Sequence, residues 1–308
     1  MSLDTTAGAE GTPAAGKTPK PGFEGLSLSV IIPAYNEQGA LRPTVDDVRG
    51  QLEPLGIPYE IIVVDDGSKD NTRAEALASG ATVDWNDANS GYGATLKRGV
   101  RRALHEYVAI IDADGTYPAR YLPEMLQVCR HQDMVVGNRG VGMKNVPWIR
   151  KAPKWVLNTL ASFLSERHIP DLNSGLRVFR KTELIPFLPL LPKNFSFTST
   201  ITLCMGANEK RFTYVPIEYG KRVGQSKMKP IDFINFIILI LRVITLFNPL
   251  RVFIPLGLLL FAVGGGKLIY DIWMDNMSET TVLAFISALL IWSLGLLADM
   301  ISRLHLRP

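Results

Sequence analysis

Two carboxylates separated by a single residue, Asp112 and Asp114, follow directly after the apolar residues 108–111. Such a run predicts a short buried strand, so both side chains are expected at its carboxyl end. Carboxylates at this spacing can share one hard divalent cation, Mg²⁺ or Mn²⁺, and a diphosphate can complete its oxygen shell. Most triplets of this kind are solvated loop acids, and the position after an apolar strand is what favours a metal site here.

A second acidic pair, Asp65 and Asp66, follows the apolar residues 61–64 and precedes Gly67 and Ser68. Asp-Gly-Ser is common in turns, and turn formation is one interpretation of the pair. The other is that one carboxylate accepts hydrogen bonds from the base or ribose of a nucleotide. Residues after the first predicted strand would then form the adjoining wall of the site: Pro33, Ala34, Tyr35 and Glu37.

Strand-like and helix-like segments alternate through the first half of the chain. Apolar, β-branched runs predict strands at 28–32, 59–64, 81–83, 107–111 and 133–136. Helices are predicted at 71–79 and 94–106. This alternation is typical of an α/β fold with a mostly parallel, Rossmann-like sheet, whose ligand crevice lies beyond the carboxyl ends of the strands. The two acidic pairs are therefore expected to converge on one crevice.

The longest apolar segments lie near the C-terminus. Residues 231–247 are interrupted by Asn235 and Arg242, which favours an interfacial helix over a third membrane span. Residues 252–273 and 281–297 each approach the ~20 residues needed to cross a bilayer and predict a transmembrane helical hairpin. Basic residues flank this hairpin, so the positive-inside rule places both its ends in the cytoplasm: Arg242, Arg251, Arg303, His305 and Arg307.

Composition excludes several classes of protein. The 308 residues carry a formal net charge of +4, which is too small for nucleic-acid binding and suits an anionic lipid surface. The two cysteines, Cys129 and Cys204, support neither a disulfide framework nor a structural zinc site. Three consecutive glycines in the first span, at 264–266, would permit close helix contact and a homo-oligomer.

The predicted organisation has four parts. Residues 1–25 lack an apolar signal-peptide core and form a flexible tail, and residues 26–229 form the α/β domain. Residues 230–250 form an interfacial amphipathic helix region, and residues 251–308 form two transmembrane helices with a short basic tail. A cluster of basic residues just before the interfacial region would face anionic groups: Lys221, Arg222, Lys227 and Lys229.

Three motifs in this order carry a specific resemblance: VIIPAYNE at 30–37, IVVDDGS at 62–68 and DAD at 112–114. Together they resemble the family 2 inverting glycosyltransferases of the GT-A fold. The segments VGNR, NSGLR and GKRVGQSK, at 136–139, 173–177 and 220–227, narrow the resemblance to the polyprenyl-phosphate hexosyltransferases, which include the dolichol-phosphate mannose synthases. The paired C-terminal spans are similar to those of the bacterial members.

This resemblance implies roles for individual residues. Asp112 and Asp114 would hold the metal and, with Arg139 and Asp171, act in catalysis. The nucleotide-sugar would contact Pro33, Ala34, Tyr35, Glu37, Asp65, Asp66, Lys97 and Asp112. The acceptor phosphate would be bound by Arg139, Arg177, Lys221 and Arg222. Many relatives continue their DAD triplet with Leu-Gln, whereas Gly115 and Thr116 follow here, so the third protein ligand is left open between Thr116 and water.

The implied reaction transfers a hexosyl group from a nucleotide-sugar, of the GDP-mannose or UDP-glucose type, to a polyprenyl phosphate with inversion. The acceptor phosphate is already anionic, so positioning and charge neutralisation should matter more than a strong base. Asp171 would orient a reacting group or, more simply, cap a turn. The resemblance thus implies an integral membrane protein whose catalytic domain faces the cytoplasm.

Other functions fit parts of the sequence. A processive polysaccharide synthase would carry a Gln-x-x-Arg-Trp motif, which is absent. A non-catalytic membrane lipid-binding scaffold would have no need of the acidic pair. An assay of nucleotide-sugar hydrolysis, with added metal and with added chelator, distinguishes such a scaffold from an enzyme. A soluble dinucleotide oxidoreductase is disfavoured because no GxGxxG follows the first strand.

Overall fold

The computed structural model describes residues 18–142, 158–163, 165–193, 196–220 and 230–305, with side chains at these positions except 141–142, 230–236 and 303–305. The basic cluster at 221–229, with Lys221 and Arg222, lies outside the described residues, as do most of the predicted N-terminal tail and Arg307. The chain forms two compact units. The first takes in the described residues of Met1–Ala152, Pro170–Met205 and Lys210–Met228, and the second those of Pro153–Ile169, Gly206–Glu209 and Lys229–Pro308.

The first unit is built on a sheet of seven strands within the described part of the chain, in the order β3-β2-β1-β4-β6-β5-β7. The strands are β1 Leu28–Ala34, β2 Tyr59–Asp65, β3 Thr82–Trp85, β4 Tyr107–Ile110, β5 Met134–Asn138, β6 Arg177–Arg180 and β7 Phe212–Pro216. All are parallel except β6, which runs antiparallel to both β4 and β5. The predicted α/β fold with a mostly parallel sheet is confirmed.

Helices cover this sheet because their apolar faces match its buried strands. They are α1 Leu41–Leu52, α2 Thr72–Ala78, α3 Tyr92–Arg102, α4 Leu122–Cys129, the short α6 Lys181–Leu184 and α7 Phe197–Ala207, whose last two residues fall in the second unit. In α1 the helical spacing of Leu41, Val45, Val48 and Leu52 buries all four side chains. In α3 a Cβ at Gly99 would lie 2.5 Å from Cγ2 of Ile31, so glycine allows the helix to approach β1 closely.

The predicted helix at 94–106 ends earlier than expected, at Arg102. The amide of Leu104 donates to Oε1 of Glu60 at 2.6 Å, and that of His105 donates to Oγ of Ser29 at 3.1 Å. These side chains take the hydrogen bonds that a longer helix would have used, and the chain turns directly into β4.

The second unit is helical. It contains the helical residues 158–163 (α5), α8 Pro230–Phe247, α9 Leu250–Trp273 and α10 Glu279–His305. Among the described residues, two helices are long and apolar enough to cross a membrane, Leu250–Trp273 and Glu279–Ser302. They form the predicted hairpin, in which the indole of Trp292 donates to the carbonyl of Ile254 at 3.3 Å. Because a Cβ at Gly257 would lie 2.1 Å from Nε1 of Trp292, glycine is required at that contact.

Candidate active site

Both acidic pairs lie at one edge of the sheet, as the parallel topology predicts. Asp65 ends β2, and the amide of Asp66 donates to the carbonyl of Ala34 at the end of β1. The amide of Ile111 donates to the carbonyl of Ile31, which continues the β4–β1 pairing up to Asp112. Since neighbouring strands lie about 4.8 Å apart, the ends of β2 and β4 are separated by about 10 Å across β1. The predicted site residues on β1, β2 and β4 are therefore brought together.

Asp112 is held by residues from two other parts of the chain. The hydroxyl of Tyr92, the first residue of α3, donates to its Oδ1 at 2.8 Å. Burial, and then the neighbouring Asp112 carboxylate, raise the pKa of the Tyr92 hydroxyl well above its usual value, so the hydroxyl keeps its proton and donates it. On the other side, a Cβ at Gly175 would lie 2.6 Å from Oδ2 of Asp112. Glycine at this position leaves room for the carboxylate.

Asp114 is buried in a tight turn that orients its carboxylate. Its Oδ1 accepts hydrogen bonds from the amide of Thr116 at 3.1 Å and from the hydroxyl of Thr116 at 2.6 Å. Gly115 has a φ of 70°, which a residue without a side chain adopts freely. The hydroxyl of Thr44 on α1 donates to the carbonyl of Ala113 at 3.1 Å. Thr116 thus positions the carboxylate of Asp114, independently of any role of its own as a metal ligand.

The donor set at this edge suits a hard divalent cation. Within the described residues, no group of three or more His, Cys, Asp or Glu side chains could hold a metal ion. Asp112 and Asp114 would therefore supply two carboxylates, and phosphate oxygens and water would supply the other ligands. Mg²⁺ is commonly bound in this way, by one or two carboxylates together with the phosphates of a substrate.

Asp66 fixes the loop that leads into α3. Its Oδ1 accepts hydrogen bonds from the side-chain amide of Asn86 at 2.7 Å and from the amide of Ser90 at 2.9 Å, and its Oδ2 accepts one from the amide of Gly91 at 2.9 Å. These bonds set the start of the helix that carries Tyr92. For Asp66, predicted to contact the nucleotide, the observed contacts are to this loop.

The loops after β1 and β2 are joined by reciprocal hydrogen bonds. The amide of Asn36 donates to Oγ of Ser68 at 2.9 Å, and its side-chain oxygen accepts from the amide of Lys69 at 2.9 Å. The amide of Glu37 donates to Oγ1 of Thr72 at 2.8 Å. The loop with Tyr35 and Glu37 is therefore fixed beside Asp65, as the wall predicted from the sequence requires. Asn36, Ser68 and Thr72 were not predicted from the sequence as site residues, although all lie in or beside the quoted motifs.

Lys97 is placed differently from the other residues predicted to bind the nucleotide. It lies half-buried on α3, and its ammonium group donates to the carbonyl of Leu191. Burial, together with the nearby charges of Arg101 and Lys193, lowers the pKa of Lys97. This contact ties α3 to the loop around residue 191 and does not bring Lys97 to the carboxylates.

Arg139 and Asp171 form a buried, two-pronged ion pair. Nε of Arg139 lies 2.8 Å from Oδ2 of Asp171, and Nη2 lies 2.9 Å from Oδ1. Asp171 is fully buried, whereas the side chain of Arg139 retains 18% exposure. The ring of Tyr219 lies 5.3 Å from the guanidinium carbon of Arg139. Asp171 therefore orients Arg139, a partner that the sequence did not indicate.

Arg177, expected to face an acceptor phosphate, is instead fully buried. Its guanidinium donates to the carbonyls of Ser174 at 2.8 Å and Leu172 at 3.0 Å, and to the hydroxyl of Thr202 at 2.6 Å. These bonds hold the loop that carries Asp171 and Gly175. In this structure Arg177 therefore supports the site from within, and its side chain does not reach a phosphate at the surface.

Comparison with known proteins shows the family to which the chain belongs. A family model described as glycosyl transferase family 2 matches residues 29–185, and one described as the GtrB C-terminal hairpin matches residues 248–304. The chain belongs to glycosyl transferase family 2. The undecaprenyl-phosphate mannosyltransferase of Micrococcus luteus is 30% identical over 66% of this chain and 88% of its own length. An undecaprenyl-phosphate 4-deoxy-4-formamido-L-arabinose transferase of Serratia proteamaculans is 27% identical over 75% of this chain and 71% of its own length.

The fold of this family 2 member is also found among solved structures. Glucosyl-3-phosphoglycerate synthase from Mycobacterium tuberculosis, crystallised with Mn²⁺, uridine-diphosphate-glucose and phosphoglyceric acid, superposes with a TM-score of 0.55. The alignment covers 72% of this chain and 81% of that one at 20% identity. This likeness confirms the GT-A fold of the first unit.

Replacing Gly175 with alanine should reduce turnover by about 10²-fold, because a displacement of roughly 1 Å in a catalytic group has an effect of that size. The new Cβ would meet Oδ2 of Asp112 at 2.6 Å and a ring carbon of Tyr117 at 3.0 Å. Gly50→Ala is the matched control, since Gly50 lies in α1 and a Cβ there would meet nothing within 4 Å. Steady-state kcat and the thermal midpoint of both variants are the measurements, and equal kcat values would show that Asp112 tolerates the displacement.

Proposed function

We propose that this glycosyltransferase moves a hexosyl group from a nucleotide-sugar to a polyprenyl phosphate, with inversion at the anomeric carbon. The observation that carries the proposal is the pair Asp112 and Asp114, fixed at the sheet edge beside the loops of β1 and β2, in a chain that continues into an apolar hairpin. The names of the Micrococcus and Serratia relatives, both undecaprenyl-phosphate transferases, support the same acceptor class.

Asp112 and Asp114 would hold Mg²⁺ or Mn²⁺, and the Mn²⁺ in the mycobacterial neighbour supports a divalent ion. When bound, the ion would neutralise charge that develops on the departing nucleoside diphosphate. The chain's own contribution is to fix both carboxylates before the donor arrives. Tyr92 and Thr116 do this through hydrogen bonds of 2.8 Å and 2.6 Å.

Arg139 would receive the acceptor phosphate. Nε and Nη2 are bound to Asp171, and Nη1 makes no hydrogen bond within the described residues, so Nη1 is the donor left for a phosphate oxygen. The phosphate is anionic at neutral pH and can attack without losing a proton to a base. Asp171 then serves by orienting Arg139, and Lys221 and Arg222 remain proposed partners of the same phosphate.

The second unit would anchor the enzyme in the membrane. The hairpin of α9 and α10 would span the bilayer. The basic residues that flank the hairpin support a cytoplasmic position for both of its ends. For α8 an interfacial position is favoured, because Arg242 is exposed on a helix that also exposes Ile238 and Leu241. A homo-oligomer through the hairpin stays part of the proposal, since a Cβ at Gly265 or Gly266 would meet nothing within 4 Å.

The test presents the purified full chain in liposomes with a panel of nucleotide-sugars and with undecaprenyl or dolichyl phosphate. One product is expected, with the mass of the lipid phosphate plus one hexose and with inverted anomeric configuration by NMR. Chelation by EDTA should abolish product formation, and Mg²⁺ or Mn²⁺ should restore it. The unphosphorylated polyprenol is the matched control acceptor and should give no product. A ladder of polymer masses would indicate a processive synthase, and no turnover of any donor would indicate a scaffold.

A further inference from the structure

The carboxyl ends of β2 and β3 carry a cluster that the proposed chemistry does not use. Asp65 and Trp85 are direct register partners on these strands. Arg73, the second residue of α2, joins them: its Nε donates to Oδ2 of Asp65 at 2.8 Å, and its guanidinium carbon lies 5.4 Å from the centre of the Trp85 ring. The other oxygen of Asp65 accepts from the amide of Ser68 at 3.1 Å.

Asp65 is therefore not presented to a ligand directly. Its side chain is fully buried, whereas that of Arg73 is 39% exposed and Trp85 is 44% exposed. The terminal nitrogens of Arg73, Nη1 and Nη2, make no hydrogen bond in the part of the chain that the structure describes. An arginine anchored at Nε and restrained by an aromatic ring offers its terminal edge as a preformed pair of donors.

This edge lies where the base of a bound nucleotide would reach. The strand order is β3-β2-β1-β4, and a diphosphate held by Asp112 and Asp114 would sit beyond β4. The ends of β2 and β3 are about 10 to 15 Å from that position, at about 4.8 Å per strand. A nucleoside extending from the diphosphate along the sheet edge, over the loops of β1 and β2, places its base beside Arg73.

A fork of two donors distinguishes among bases by chemistry. Guanine presents two adjacent acceptors, N7 and O6, which arginine binds in a two-pronged manner. Adenine presents N7 beside an amino group, which is a donor and would oppose one prong. Uracil presents carbonyl oxygens on either side of an N–H group, so it has no adjacent pair of acceptors for the fork.

We propose that Arg73, held by Asp65 and Trp85, reads the N7 and O6 edge of guanine and makes the donor a GDP-linked sugar. This inference rests on the proposed nucleotide-sugar chemistry and deepens it, because that chemistry leaves the base open. Asp65 acts through Arg73, and Trp85 restrains the guanidinium.

The test measures nucleotide binding to the full-length protein by calorimetry, with Mn²⁺ and without acceptor lipid. GDP should bind at least about tenfold more tightly than UDP or ADP, as one two-pronged contact warrants. Inosine diphosphate, which keeps N7 and O6, should match GDP. The 7-deaza analogue of GDP lacks N7 and should bind more weakly than GDP. Equal binding of UDP and GDP, or of GDP and its 7-deaza analogue, would overturn the proposal, and these comparisons need only the unmodified protein.

Arg73→Lys keeps the charge beside Asp65 but loses the fork. It should weaken GDP binding at least about tenfold, leave UDP binding unchanged and remove the difference between GDP and its 7-deaza analogue. Arg49→Lys is the matched control, because Arg49 is similarly exposed and paired with Asp46, and it should alter none of these values. A uniform loss for every nucleotide in Arg73→Lys would assign Arg73 a structural role. Transfer from a UDP-sugar to polyprenyl phosphate would overturn the guanine assignment while leaving the proposed function intact.

Discussion

Asp114→Asn should reduce hexosyl transfer by at least about 10³-fold, the scale expected when a group that stabilises transition-state charge is lost. Asparagine keeps an oxygen that can accept the two hydrogen bonds from Thr116, at 3.1 Å and 2.6 Å, so the turn at 114–116 should survive. What it removes is the negative charge that would hold the divalent cation. The measurements are kcat with saturating donor and acceptor, and Mn²⁺ affinity followed by electron paramagnetic resonance.

Asp46→Asn is the control for this substitution. Asp46 lies exposed on α1 in ion pairs with Arg42 and Arg49, and such surface pairs contribute only ~0–1 kcal/mol to stability. Its kcat and Mn²⁺ affinity should match those of the unmodified enzyme. The thermal midpoints of both variants should stay close to that of the parent protein. If Asp114→Asn turned over at a near-normal rate in a folded protein, the metal role of Asp114 would be refuted.

The placement of the acidic residues was predictable because it depends on topology alone. Asp65 and Asp112 follow strongly apolar runs, and parallel strands end at a common edge. Strand β6 escaped prediction for the opposite reason. Its four residues, Arg177–Arg180, have arginine at both ends and too few apolar side chains to give a strand pattern. Strands β1 to β5 are therefore predictable from hydrophobic runs, whereas β6 is not, and β7 was not predicted either.

The partners of the site residues could not be read from the sequence. Tyr92 lies 20 residues before Asp112, and Arg139 lies 32 residues before Asp171, and no local pattern relates either pair. Both contacts depend on how α3 and the 171–175 loop pack against the sheet. The same packing buries Arg177, to which the family resemblance had assigned the acceptor phosphate. Residue type alone thus indicates which chemistry is available, and tertiary packing decides which side chains can reach a substrate.

Arg139→Ala should lower the free energy of unfolding by about 3–5 kcal/mol, because it removes the guanidinium that binds both oxygens of the buried Asp171 carboxylate. The pair is bound through two contacts of 2.8 Å and 2.9 Å, and Asp171 has no exposure to water. Asp171→Asn in the same background should recover part of that loss, since the buried negative charge that arginine had balanced is removed. Chemical denaturation of the four proteins of this double-mutant cycle measures the coupling. Additive effects would show that the two residues do not stabilise each other.

Stability alone does not separate a structural arginine from one that binds the acceptor, so the second measurement uses Arg139→Lys. Lysine keeps the charge beside Asp171 but lacks the planar fork with which Nε and Nη2 bind both carboxylate oxygens while Nη1 points away from them. We expect the KM for polyprenyl phosphate to rise by at least about tenfold, as the loss of a charged hydrogen bond predicts. The Kd for the nucleotide should stay unchanged, because the donor is proposed to lie along β4, β1 and β2. A parallel weakening of donor and acceptor binding would instead mean that the pair holds the whole site in shape, and that the acceptor phosphate is bound by other cations.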